Sequence, residues 1–213
     1  MIEQYKEKYK TDIIEICYKT GFYGEDLSMF NLFKDKKLFA MRFVLHYTHF
    51  QPDYCFVYKE NNKVAGYIIG TDDTKKQEAD FLKTMYPKML LRMYLFTWWY
   101  SITSFRNIKR FSKPNNESVL DDTLLDTYPA HLHMNVLPGY QGRGIGQQLL
   151  DSFMSALREK NVAGIHLGTS SENKKAVPFY EKNNFVLLRQ LDGDMWGMGT
   201  GVKSLIYGLR LNE

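Results

Sequence analysis

Residues 137–162 read LPGYQGRGIGQQLLDSFMSALREKNV, and five of the first ten are Gly or Pro. An amphipathic run without breakers follows. A helix N-terminus presents unpaired N–H groups and a positive dipole end, so it favours anions. Gly142, Gly144 and Gly146 carry no side chain to hold an anion away from the backbone. The loop has the chemistry of a phosphate cradle, and its spacing excludes two kinds. A P-loop ends in Gly-Lys-Ser/Thr, whereas Gly146 is followed by Gln147 and Gln148. A dinucleotide fingerprint runs G-x-G-x-x-G, whereas this loop runs G-x-G-x-G, and the next strand, IHLGTS, ends without an acidic residue.

A second constellation, SENKKAVPFYEKNNF, follows with Asn173, Ala176, Phe179, Tyr180 and Phe185. An Asn at a helix start caps it. A tyrosine phenol is a proton donor at neutral pH, because its unperturbed pKa is about 10. An aromatic core position on an amphipathic helix is the plainer reading of Tyr180. Upstream, AHLHMNV alternates, so His131, His133 and Asn135 share one face of a strand and Met134 points the other way.

The elements that must hold these groups follow from pattern. MIEQYKEKY reads as a first strand. TDIIEICYKTG reads as a helix capped by Thr11 or Asp12 and stopped by Gly21. FKDKKLFAMRFVLHYTHF is helical, with Leu38, Met41 and Leu45 on one side. DYCFVYKE and KVAGYIIGT form a hairpin about Asn61 and Asn62. Residues 74–113 interrupt the pattern as a helical insertion divided by Pro87. Then come strand, loop, helix and strand, a helix with Pro178 in its middle that should kink or loosen it, and the strands FVLLRQ and VKSLIYGLRL. This order predicts a mixed α/β sheet with helices on both sides, built as a single domain from 1 to 213.

Bulk properties set limits. The chain has 213 residues, 44% of them hydrophobic, and a net charge of +4, too mild to imply nucleic acid by itself. Cys17 and Cys55 fit neither a metal spacing nor a disulfide framework, which points to a reducing, cytoplasmic setting without a metal. The charged N-terminus has no apolar core of a signal peptide. Residues 89–105 are apolar and aromatic but shorter than the ~20 a membrane span needs, and they include Arg92. They read as a buried or groove-lining helix, and membrane contact is not expected.

Gln141-x-x-Gly144-x-Gly146 and the Asn173–Phe185 pattern together resemble the two motifs of the GCN5-related N-acetyltransferase (GNAT) superfamily. Asn184 stands where that family usually has glycine, and Asn tolerates the left-handed backbone. TYPAHLHMNVLPGYQGRGIG further resembles the acetyltransferase-like domain of O-GlcNAc hydrolases and their free-standing bacterial relatives. The resemblance implies a GNAT-type acyl-CoA N-acyltransferase fold with a mostly antiparallel sheet. It implies acetyl-CoA as cosubstrate and direct attack of an amine through a tetrahedral intermediate. The amides of Gln141, Gly142, Arg143, Gly144, Ile145 and Gly146 would hold the pyrophosphate. Met134, Asn135 and Val136 would pair with the pantetheine arm, joined by Asn173, Ala176 and Phe179. Met134 N–H would stabilise the oxyanion, and Tyr180 would protonate the leaving thiolate. His131, His133 or a water would take the amine proton. Arg143, Lys174 and Lys175 would screen the phosphates or serve only as surface charge.

The acceptor implied is a small-molecule or peptide amine. The insertion would wall the acceptor side or join two copies as a homodimer. Two other readings compete. One is a CoA-binding or interaction module without catalysis, against which the intact glycines and Tyr180 argue. The other is nucleic-acid binding through the insertion, where nine Lys or Arg interleave with Trp98, Trp99 and tyrosines. Aromatic core and solvated bases account for that composition better.

Overall fold

Asn61 and Asn62 both take the left-handed backbone, with φ of 48° and 61°. They join β2 (Cys55–Glu60) to β3 (Lys63–Thr71). A two-residue turn of this hand matches strand twist and suits Asn, so the hairpin forms as expected, Val57 opposite Tyr67. This computed structural model describes residues 1–30, 32–96, 100, 120–193, 196 and 201–211.

The hairpin lies within a seven-stranded sheet of order β1-β2-β3-β4-β5-β7-β6. The other strands are β1 (Ile2–Gln4), β4 (Ala130–Val136), β5 (Gly164–Ser170), β6 (Val186–Asp192) and β7 (Lys203–Arg210). Every neighbouring pair is antiparallel except β4 and β5. Alternation divides the core in two. Tyr67 and Ile69 face a cluster with Ile13, Ile16, Leu38 and Leu45, supplied by α1 (Lys10–Lys19), α2 (Lys36–Phe43) and α3 (Leu45–Phe50). Met85 and Met89 of α4 (Thr74–Leu95) join them. On the opposite face Ile68 and Leu132 meet Leu149, Phe153 and Tyr180. The short α5 (Asp122–Thr127) leads into β4, and α6 (Ile145–Glu159) and α7 (Ala176–Lys182) cover this second face. Gly70 sets how closely α6 approaches. A Cβ there would stand 2.1 Å from His131 O and 2.5 Å from Phe153 Cζ.

The local pattern is corrected in five places. The first strand stops at Gln4, and a 3-10 turn over Glu7–Tyr9 feeds α1 directly. Tyr9, already in helical conformation, precedes α1, so Thr11 and Asp12 lie inside its first turn and do not cap it. The 36–50 region breaks at Val44, whose φ of −133° lies outside the helical range, although Leu38, Met41 and Leu45 are all buried. Pro87 does not divide α4, which runs 22 residues through it. A proline inside a helix costs about 3 kcal/mol or more. Opposing that cost are the buried Met85 and Met89 and the Arg92–Asp35 ion pair at 2.7 Å. Pro178 is the third residue of α7, not its middle, because residues 171–175 form turns. Its missing N–H would have had no partner in a first turn, so no kink results.

The remainder of the insertion, residues 97–99 and 101–113, lies outside the described residues, as do residues 114–119, and takes Trp98 and Trp99 with it. The expectation of a buried helix across 89–105 is met only in part. Met89 is buried, whereas Leu91, Tyr94 and Leu95 are 58%, 79% and 56% exposed.

Candidate active site

Strands β4 and β5 run parallel but pair only at Ala130–Ile165 and His131–His166. Beyond that point β4 stays with β3 as far as Val136, and β5 stays with β7 as far as Ser170. The sheet therefore opens along the second half of β4. Leu137 N donates to Ala65 O on the β3 side at 2.8 Å. Backbone alternation then turns the peptide groups of Asn135 and His133 to β3. Those of Leu132, Met134 and Val136 face the edge that β5 has left. Of the three residues expected along the gap, Met134 and Val136 present their backbone there. Asn135 does not, because its N–H and C=O belong to the β3 ladder. Val136 O already accepts Gln141 Nε2 at 2.9 Å, which fastens the glycine loop to the strand end.

Gly139, Gly142 and Gly144 have φ of 84°, 74° and 74°. A Cβ on any of them would meet nothing within 4 Å. Conformation, not crowding, requires glycine there. Gly144 is the N-cap residue of the 15-residue α6 and offers no side-chain cap. The first bond back along the helix is Gln148 N to Gly144 O at 3.2 Å. The amides of Ile145, Gly146 and Gln147 thus remain directed out of the helix end, while the Ile145 side chain is buried beneath them. This arrangement fits a phosphate. The basic side chains nearby turn to other partners. Arg143 pairs with Glu60 at 2.7 Å and lies over the Tyr140 ring. Lys174 reaches Ser171 O, and Lys175 pairs with Glu25. Exposed pairs of this kind are weak and exchange easily with solvent.

Gly146 joins the two sequence motifs. Its Cβ position lies 3.4 Å from Phe179 Cε2 and 3.7 Å from Met134 Cε. Asn173 Oδ1 accepts Ala176 N at 3.1 Å and so secures the start of α7, with Ala176 at the edge of the second core. Asn184 takes φ 62°. Tyr180 is buried, with ring centroids 5.3 Å from Phe179 and 5.4 Å from Phe185. Burial pushes its phenol far above the usual range, so it stays protonated. Among the described residues nothing hydrogen-bonds its hydroxyl, and that oxygen is not among the sealed unpaired atoms.

His131, His133 and Asn135 share the opposite face, as alternation requires. His131 Nδ1 lies 3.1 Å from the Tyr47 hydroxyl, and its ring stacks on His166 at 5.0 Å. His166 Nδ1 meets Tyr128 O at 2.7 Å. His133 packs among Phe43, Tyr47 and His131. Burial first, then the charges of Arg42 and His166, holds its pKa down to about 3. An imidazole so weakly basic is poorly matched to proton abstraction near neutral pH.

Other site groups were not visible as motifs. Asn135 Nδ2 donates to the Tyr67 hydroxyl at 2.6 Å, and Tyr67 is buried in the same cluster as Cys17 of α1. Trp196, between β6 and β7, is 2% exposed and packs with Phe22 and Phe39. A lone tryptophan in the glycine-rich DGDMWGMGTG was its available signal. The loop after α1 reaches the mouth of the gap, where a Cβ on Gly24 would lie 3.4 Å from Asn173 Oδ1. Among the described residues no His, Cys, Asp or Glu cluster could hold a metal, and no helix is long and apolar enough to cross a membrane.

Comparison with known proteins agrees with this geometry. Residues 117–187 match the model of the acetyltransferase (GNAT) domain. The crystal structure of SsHAT is 25% identical, with a TM-score of 0.76, covering 100% of this chain and 98% of that one. The structure of yncA from Salmonella typhimurium with its cofactor acetyl-CoA is 17% identical, with a TM-score of 0.59 and coverage of 100% and 94%. The ribosomal-protein-S18-alanine N-acetyltransferase from Escherichia coli is 15% identical, with a TM-score of 0.56 and the same coverage.

Proposed function

The chain belongs to the GNAT superfamily of acetyltransferases, and we propose that it transfers an acetyl group from acetyl-CoA to a small-molecule or peptide amine. The observation that carries this reading is the gap in the sheet. Unpaired β4 backbone lies along one side of it, and an uncapped helix end stands at its mouth. An amide-bearing arm satisfies such strand-edge groups as an added strand does. The phosphates meet the amides of 142–147. Acetyl-CoA supplies a thioester carbonyl open to attack and a thiolate that can leave.

The chain's own groups divide the remaining work. Met134 N–H opens on the gap and donates to the oxygen as negative charge develops. One preorganised donor of this kind is worth about 3 kcal/mol. Tyr180 gives its proton to the departing sulfur. Gly146 lets Phe179 and Met134 close the wall between them. The amine nitrogen forms its bond to the acyl carbon, the carbon–sulfur bond breaks, and the surplus amine proton leaves through water. The low basicity of His133 supports that last assignment over a direct imidazole base.

The same reading takes the chain as one domain acting in the cytoplasm without a metal. It also includes a contact between two copies, which the exposed Leu91, Tyr94 and Leu95 of α4 support. Light scattering of Leu91→Lys with Leu95→Lys tests that contact: a monomer replacing a wild-type dimer supports it, and a monomeric wild type contradicts it. For the activity, acetyl-CoA is incubated with a panel of amines. Thiol release matched by acetylated amine in the mass spectrum supports transfer. Binding without thiol release supports a module without catalysis instead.

A further inference from the structure

The side chain of Asn135 stands beside the reacting position on β4, yet on the face away from α6 and α7. Its neighbour Met134 turns its side chain the other way, toward Gly146. Tyr67 pairs with Asn135 across β3 and β4, so their side chains share a face. Asn135 Nδ2 donates to the Tyr67 oxygen at 2.6 Å. Tyr67 is fully buried, at 0% exposure, in the same cluster as Cys17, so this pair is fixed at its inner end.

The consequence falls on the other end of the amide. With Nδ2 committed, Oδ1 points away from Tyr67. Among the described residues it has no hydrogen-bond partner, and it is not one of the sealed unpaired atoms. Asn135 itself is half-buried. An oriented carbonyl oxygen therefore opens beside the gap, next in sequence to the backbone that faces the acyl group.

The described residues leave the acceptor one route to that position. The face beyond Met134 is filled by Ile145, Leu149, Phe153 and Tyr180. The gap itself takes the thioester arm. An amine must therefore arrive from the face of Asn135 and His133, where Phe43 and Tyr47 crowd the first half of the strand around the histidines. Asn135 lies past that crowding, toward the open end of the strand.

Resting on the acetyl-transfer reading, we propose that Asn135 Oδ1, oriented by Tyr67, accepts an N–H of the incoming amine and so positions its lone pair on the acyl carbon. A primary amine gives one N–H to Oδ1, directs its lone pair at the carbonyl carbon, and keeps a second proton to lose. An acceptor-only contact also favours an amine over an alcohol, whose single proton must depart during attack.

The test uses n-butylamine and wild-type protein saturated with acetyl-CoA, with kcat/KM for the amine read by thiol release. Acetyl-CoA affinity is measured separately by calorimetry. Asn135→Leu should lower kcat/KM for butylamine at least about tenfold, as loss of one such hydrogen bond does. Its acetyl-CoA affinity should stay at the wild-type value. Asn135→Asp keeps an acceptor oxygen facing the amine and should retain kcat/KM within about threefold, below half of the 1.4 kcal/mol that corresponds to tenfold. Tyr67→Phe frees the amide to rotate and should fall between the two. The proposal is overturned if Asn135→Leu matches wild type. It is equally overturned if Asn135→Asp falls as far as Leu, since the amide would then present its NH2 group to the substrate. A wild type that binds no acetyl-CoA, or binds it and acetylates no amine of the panel, contradicts the underlying activity instead, so the two failures are distinct.

Discussion

Gly146 of α6 lies against the ring of Phe179 of α7, its Cβ position 3.4 Å from Cε2 and 3.5 Å from Cζ. That is ordinary contact distance, and Gly146 has no positive φ. Gly144, two residues earlier, is the reverse case: its surroundings are open, but its φ is 74°.

The two glycines should therefore respond to alanine with opposite signs. Gly146→Ala gains helix propensity, up to about 1 kcal/mol, and should raise the melting temperature. Gly144→Ala places a Cβ in the left-handed region at a cost of about 1–2 kcal/mol and should lower it. Thermal melts of the two variants decide the matter, and shifts of the same sign would refute this account of the loop.

Tyr180→Phe keeps the ring between Phe179 and Phe185 and deletes only the hydroxyl. Turnover should fall about 10²–10⁴-fold, the usual worth of general acid assistance. Acetyl-CoA affinity measured by calorimetry should hold. Wild-type turnover in this variant would reduce Tyr180 to a packing residue.

His46 is 1% exposed, and among the described residues neither ring nitrogen has a hydrogen-bond partner. Burial, with a smaller contribution from His49 and against the pull of Asp80, lowers its pKa from 6.5 to about 4. Between those values the unfolded chain binds the extra proton, so stability is lost as pH falls from about 6.5 to about 4. His46→Leu removes both the unpaired nitrogens and the titration. Urea unfolding at pH 7.5 and at pH 5 should show a smaller acid loss in the variant than in wild type; equal losses would exclude His46 as the source.

Asp35 is a buried carboxylate that caps α2 through Leu38 N and receives both Arg92, from α4, and Tyr100. Burial alone would raise its pKa, but the bonds from Arg92, Tyr100 and Leu38 outweigh it and leave the carboxyl below the usual value of 3.8. The stability it contributes is present above that value and lost as pH falls below it. Asp35→Ala strips Arg92 of its partner and should destabilise by about 3 kcal/mol. A loss under about 1 kcal/mol in denaturant unfolding would show that α4 is held by other contacts.

How much of this was legible in the sequence depended on whether a constraint was local. The Asn61–Asn62 turn, the left-handed Asn184 and the glycine cradle are properties of short stretches, and each lies where pattern placed it. Pro178 misled because a proline is equally at home in a first turn, and only the start of α7 at Ala176 distinguishes that from a kink. Pro87 misled because the counterweight, Asp35 against Arg92, spans 57 residues. The backbone facing of Asn135 was lost for a similar reason. Alternation was readable, but which parity faced the gap depended on β3 lying on one side, a matter of sheet order. Trp196 and the Tyr67–Asn135 bond are contacts between distant segments that no spacing announces.

The account stands most directly on calorimetric titration with acetyl-CoA of wild type and of Gly144→Val with Gly146→Val. It predicts a single site of about micromolar affinity, near −8 kcal/mol, in wild type, and loss of binding in the folded double variant, whose side chains close the helix end to the phosphates. Absence of binding in wild type, or undiminished binding in the variant, would contradict it.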